Sequence, residues 1–61
     1  MKDQQPNDRW RATRGRYTLV VNAEQLRVIF DKYNSDLTSI LQLGVGHKHT
    51  DTNGVRWERI A

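Results

Sequence analysis

Apolar and polar residues alternate through residues 9–21, recur at spacings of three and four through residues 23–43, and return to short strand-like stretches through residues 47–60. Alternation puts successive side chains on opposite faces of a strand, whereas spacings of three and four draw one stripe along a helix. The pattern predicts a hairpin, a helix and a second hairpin.

In the first hairpin, Arg14-Gly15 is read as a two-residue loop, with Gly15 able to take a positive φ. That register sets Ala12 opposite Tyr17 and Trp10 opposite Leu19. Trp10, Ala12, Tyr17, Leu19 and Val21 then share an apolar face, while Arg9, Arg11, Thr13, Arg16, Thr18 and Val20 share the other. A one-residue slip would mix the two sets, so the separation itself supports the register. Trp10 and Tyr17 are both expected in the core.

The helix is expected over residues 23–43. Asn22 suits the N-cap, Gln25 three positions on completes a capping box, and Glu24 complements the helix dipole. Leu26, Ile29, Phe30, Tyr33, Leu37, Ile40 and Leu41 form the stripe, and Gly44 marks the stop. At 1.5 Å per residue such a helix runs about 31 Å, long enough to overhang a small sheet. Asn34-Ser35-Asp36 has the chemistry to cap a second helix. The stripe nevertheless passes through these residues in phase, so one continuous helix is expected.

The second hairpin is signalled by Asn53-Gly54, a strong two-residue turn pair. It sets Thr52 against Val55, Asp51 against Arg56, Thr50 against Trp57, His49 against Glu58 and Lys48 against Arg59. The expected architecture is an α+β domain of ββαββ order over residues 9–61, an antiparallel sheet of two hairpins packed by one amphipathic helix. Residues 1–8 are polar, hold the one proline, and are expected to form a flexible tail.

Composition narrows the function. A 61-residue chain buries only about 60% of its unfolded surface, which leaves little room for a deep substrate cleft. Cysteine is absent, so neither a disulfide nor a thiolate zinc site is available. The first residues lack the apolar stretch of a signal peptide, and no run approaches the ~20 apolar residues of a membrane span. A cytoplasmic protein is expected. The net charge of +3 is uneven: residues 1–20 carry +3, residues 21–44 carry −1 and residues 45–61 carry +1. An acidic or phosphate-bearing partner should therefore meet the amino-terminal third.

Candidate chemical motifs are sparse. Gly44-Val45-Gly46 follows a helix and precedes a strand, the reverse of a phosphate-cradling loop. His47, His49 and Asp51 alternate along one strand, but three alternate positions span about 13 Å, too far for one ion. Ser35 and Ser39 lie apart from both histidines in sequence, and no carboxylate has a recognisable acid/base partner. No catalysis, cofactor or metal is expected.

The sharpest feature is the basic hairpin. Arg9, Arg11 and Arg16 project from one sheet face with Arg14 at the tip, and guanidinium forks suit carboxylates and phosphates alike. The expected function is that of a small non-enzymatic regulator or inhibitor docking on a larger acidic protein, as compact accessory proteins of phages and mobile elements do. Tyr33 and Leu37 on the helix offer a secondary interface, and exposed stripe residues could also seam a homodimer. The alternative is a nucleic-acid-binding module whose arginines contact phosphates rather than bases.

Overall fold

The computed structural model of the chain describes residues 7–61. The order is β1 (Trp10–Arg14), β2 (Tyr17–Val21), α1 (Ala23–Ile29), α2 (Ser35–Leu41), β3 (Lys48–Thr50) and β4 (Arg56–Arg59). The strands form one antiparallel sheet in the order β2-β1-β4-β3, with both helices on one face. The α+β class and the two-hairpin sheet agree with the sequence pattern. None of the described helices is long and apolar enough to cross a membrane. Of the expected tail, residues 1–6 lie outside the described residues. Asp8 belongs to the fold: it is buried and ion-paired to Arg59 at 3.1 Å.

The first hairpin turns two residues later in register than the sequence suggested. Arg14 pairs with Tyr17, Ala12 with Leu19 and Trp10 with Val21. Gly15 takes φ of 61° at the first central position while Arg16 keeps a negative φ, the signs of a type II′ turn. The expected loop would have forced Arg14 toward a left-handed conformation, and the shift removes that strain. A shift of two preserves which side chains share a face, so the apolar and basic sets survive.

The second hairpin differs by one residue, and here the faces exchange. Lys48 pairs with Glu58, His49 with Trp57 and Thr50 with Arg56. The loop has three residues rather than two. Gly54 N–H donates to Asp51 C=O at 3.1 Å, and Asp51 N–H donates to Val55 C=O at 2.9 Å. The Asp51 carboxylate accepts from the N–H groups of Asn53 (2.8 Å) and Val55 (2.9 Å) and from Trp57 Nε1 (3.0 Å). This is a type I turn followed by Gly54 at φ 87°, so Asn53 has no need of positive φ. Because of the slip His49 shares the helix-facing side with Trp57, and the unfavourable Lys48–Arg59 pairing is replaced by Lys48–Glu58.

The single expected helix is two. The Asn22 cap forms as anticipated: its carboxamide accepts from Gln25 N–H at 2.8 Å, and Gln25 Oε1 accepts from Asn22 N–H at 2.9 Å. The helix then stops at Phe30, whose backbone is extended. Asn34 caps α2 by accepting from Asp36 N–H at 2.8 Å. The polar triplet at 34–36 thus captures the backbone despite the in-phase stripe. Breaking the helix lets Phe30 reach the Trp57 ring, with centroids 5.7 Å apart, and lets α2 lie over β3 and β4. It also removes Ile29 and Tyr33 from the core and leaves both exposed.

Trp10, Leu26 and Ile40 are the largest fully buried side chains, joined by Ala12, Val21, Ala23, Phe30, Leu37 and Trp57. Trp10 Nε1 donates to the Ile40 carbonyl at 2.9 Å, satisfying both a buried indole and a helix-terminal acceptor. Arg59 stacks over the Trp10 ring at 4.7 Å and donates to the Leu43 and Ala61 carbonyls. With Arg9 N–H donating to Ala61 C=O at 3.1 Å, this closes the sheet end opposite the β1–β2 turn.

Candidate functional site

The register fixes what each sheet face presents. On the face away from the helices, one row runs Val20–Arg11–Glu58–Lys48 and the next runs Thr18–Thr13–Arg56–Thr50. No described element covers this face. A shallow depression of about 330 Å³ lies over it, lined by Arg11, Thr13, Thr18, Lys48, Arg56 and Glu58 among others. Arg11 approaches Glu58 at 3.5 Å, with both side chains partly exposed. Among the described residues of these two rows, three cations surround one carboxylate.

On the helix-facing side, coverage is unequal. One row runs Leu19–Ala12–Trp57–His49. At the Trp57 end it lies under Phe30. At the Leu19 end the helices have run out. Leu19 is 56% exposed and Tyr17, paired with Arg14 in the next row, is 77% exposed. Tyr17 was expected in the core, and the shortened α1 explains why it is not. Ala12, Arg14, Tyr17, Thr18, Leu19 and Val55 line a mainly apolar depression of about 160 Å³ there.

The four arginines singled out in the sequence do not form one cluster. Arg11 lies on the open outer face. Arg14 shares the opposite face with Tyr17. Arg16 sits in the turn at the hairpin tip, exposed. Arg9 lies at the far end of the sheet, where its backbone pairs with Ala61 and Ile60 and its guanidinium donates to Asp8 C=O at 2.8 Å. The structure thus brings Arg14, Arg16, Tyr17 and Leu19 together at one end of the molecule. It sets Arg11 with Lys48 and Arg56, two cations the sequence reading passed over. Of the secondary pair, Leu37 is buried at 5% exposure and serves the core, whereas Tyr33 is 83% exposed with the Lys32 ammonium 5.2 Å from its ring centroid.

The signal for Lys48 and Arg56 was present. Asp51-Thr52-Asn53-Gly54 has Asp at the first and Gly at the fourth position of a type I turn. Reading those four residues as the turn would have given the observed register and aligned Lys48 with Arg11.

His47, His49 and Asp51 do not converge. His49 Nε2 lies 3.0 Å from Asp36 Oδ1, Asp51 is committed to its own loop and Trp57, and His47 precedes β3 and is exposed. Among the described residues, no cluster of three or more His, Cys, Asp or Glu is placed to hold a metal. Asp36 also accepts from the Thr52 N–H (3.1 Å) and Thr52 hydroxyl (3.0 Å). The His49 hydrogen bond, then the Thr52 backbone bond, hold its carboxyl below the ordinary 3.8, against a smaller opposing effect of burial. This cluster ties α2 to the β3–β4 loop.

Comparison of the chain with protein-family models, with curated proteins and with solved structures finds no match.

Proposed function

We propose that the chain is a non-enzymatic docking protein that regulates or inhibits a larger protein by binding it through the bare end of the β1–β2 hairpin. The observation that supports this reading is the coincidence of Arg14, Tyr17 and Leu19 around an uncovered apolar depression, with Arg16 exposed in the adjoining turn. Tyrosine and arginine are the residues that most often anchor protein interfaces, with an apolar centre inside a polar rim. The partner's matching surface is an apolar knob flanked by carboxylates. The knob enters between Tyr17 and Leu19, and the carboxylates meet the two guanidinium groups.

The second reading is phosphate contact by Arg11, Lys48 and Arg56 on the outer face, supported by their adjacency across the register. Glu58 sits in the same row as Arg11 and Lys48 and would repel a phosphate, and no exposed aromatic on that face offers a base a stacking platform. The protein reading is the stronger.

The test is quantitative capture from the source cell's lysate by the wild-type chain, by Arg14→Glu/Arg16→Glu and by Arg11→Glu/Arg56→Glu. Labelled single- and double-stranded nucleic acids are titrated alongside at low and near-physiological salt. The expected result is a defined acidic protein lost only with the hairpin-tip variant. Its affinity for the purified chain should fall about thirtyfold or more on Tyr17→Ala, the scale of an interface hot spot. Submicromolar nucleic-acid binding that survives near-physiological salt and disappears with Arg11→Glu/Arg56→Glu would overturn the proposal in favour of the second reading.

A further inference from the structure

The sheet has two edges, and among the described residues the β2 edge has none of the usual protections. Its residues, Tyr17-Thr18-Leu19-Val20-Val21, include no charge, no proline and no glycine, and all but Val21 are exposed. Lysine, proline, bulges or a covering segment normally guard such an edge, because its free N–H and C=O groups are a template for another strand. Five paired residues with no bulge, of high strand propensity, leave that template straight and open.

The phase of the ladder says which groups are free. Arg14 and Tyr17 flank a two-residue turn, so they form a hydrogen-bonded pair, and alternation makes Ala12–Leu19 and Trp10–Val21 the next ones. The intervening residues of β1 turn to β4, as the Arg9 C=O accepting from Ile60 N–H at 3.0 Å confirms. On β2, then, it is Thr18 and Val20 whose backbone groups point away from the sheet.

We infer that the β2 edge pairs with the β2 edge of a second copy, antiparallel about a two-fold axis through Leu19, to give one continuous sheet across the dimer. This placement exchanges backbone hydrogen bonds between Thr18 and Val20 of the second copy, and the reverse. It sets Leu19 beside Leu19 and Tyr17 beside Val21 on the helix-facing side, and Thr18 beside Val20 on the other. Each is an apolar, aromatic or β-branched cross-strand pair of the kind that stabilises sheets. Of the placements with the correct phase, it alone pairs all five residues. No like charges meet, although the chain carries +3 overall: the nearest cation, Arg16, comes opposite Asn22. The strand is thus chemically self-complementary, the property an isologous interface requires. A ladder this short falls near or below the ~1,200 Å² lower limit of standard interfaces, so the dimer belongs to the micromolar range. The inference does not rest on the docking proposal, since it is argued from the backbone edge of β2 and is tested with no other protein present.

The experiment is sedimentation equilibrium of the purified chain, with no partner present, from about 1 µM to about 1 mM. Two edge variants and a control, Val28→Glu on the exposed side of α1, accompany it, each checked by circular dichroism. Thr18→Pro removes an N–H that faces away from β1, a position where an edge strand tolerates proline. Leu19→Lys puts two ammonium groups at the two-fold axis on a side chain already exposed. The wild type should change from monomer to dimer across the range. Thr18→Pro should stay monomeric, and Leu19→Lys should weaken dimerisation about tenfold or more. A wild type that is monomeric at every concentration would overturn the inference. So would a dimer that both variants form as readily, or one that instead responds to Val28→Glu on α1. Should one variant fail to fold, the other carries the same test.

Discussion

The two hairpins use the same antiparallel pairing and hold it in opposite ways. The β3–β4 hairpin has strands of three and four residues, yet its loop is fastened by Asp51, its flank by Asp36, and its inner face by Phe30 and α2. The β1–β2 hairpin has two five-residue strands and a bare turn, and its distal half lies beyond the helices. The short strands are fastened along their length, whereas the long ones are buried at the Trp10–Val21 end and present side chains at the other. Apolar surface in a domain this small cannot cover the whole sheet, and here it covers Trp10, Ala12, Val21 and Trp57 and leaves the β1–β2 turn end bare.

The comparison can be broken most sharply at Asp51. Asp51→Ala removes the acceptor for two loop N–H groups and leaves the buried Trp57 indole unpaired, a loss of about 3 kcal/mol. A domain of this size rarely holds more than about 3–5 kcal/mol in its core, so urea denaturation should find the variant largely unfolded without denaturant. A variant as stable as wild type would show that the second hairpin is not the fastened one.

A smaller effect is expected at Asp36. Its carboxyl is lowered in the folded state by His49 and Thr52. The stabilisation it provides is fully present above the unfolded value near 3.8 and is lost as pH falls through the lower folded value. Thermal melts from neutral to acid pH should show Tm falling in that window. Asp36→Asn should lower Tm at neutral pH and flatten the acid limb. A wild-type acid limb that Asp36→Asn leaves unchanged would remove Asp36 from the hairpin's supports.

In the first hairpin, Gly15→Ala should cost about 1 kcal/mol, the strain of a left-handed backbone, since no neighbouring atom lies within 4 Å of the added methyl. For a domain this small that is roughly 4–8 °C in Tm. The smallest effect belongs to Tyr17→Ser, within about 0.5 kcal/mol of wild type by urea denaturation, because the side chain is mostly solvated. A large loss there would show that the bare end is part of the core and would undo the contrast.

How much of this was legible in the sequence depended on which rule carried each element. The faces of β1 and β2 were readable from alternation alone, since a two-residue error in register leaves faces intact. The faces of β3 were not, because Asn53-Gly54 advertises a two-residue turn while Asp51 enforces a three-residue one, and a shift of one exchanges every side chain. The Asn22 cap was readable because its partner Gln25 is local. The helix break was underestimated, since periodicity continued through Asn34-Ser35-Asp36 and only the tertiary position of Phe30 and Leu37 rewards the bend. Arg14 and Arg16 were readable as candidates. Tyr17 was assigned to the core, and Leu19 to the same apolar face, because nothing in the sequence reports how far a helix layer extends over a sheet.

The strand order β2-β1-β4-β3 also has a consequence in time. The inner partner of β1 is β4, so the first strand made waits for the last. Until Trp57 and Arg59 have been synthesised, β1 and β2 are a two-stranded hairpin, marginal on its own in water. The protein therefore acquires its sheet in one late step rather than strand by strand. Through that interval the inner edge of β1 also stands open to any strand nearby, and its pairing with β4 is what closes it against aggregation.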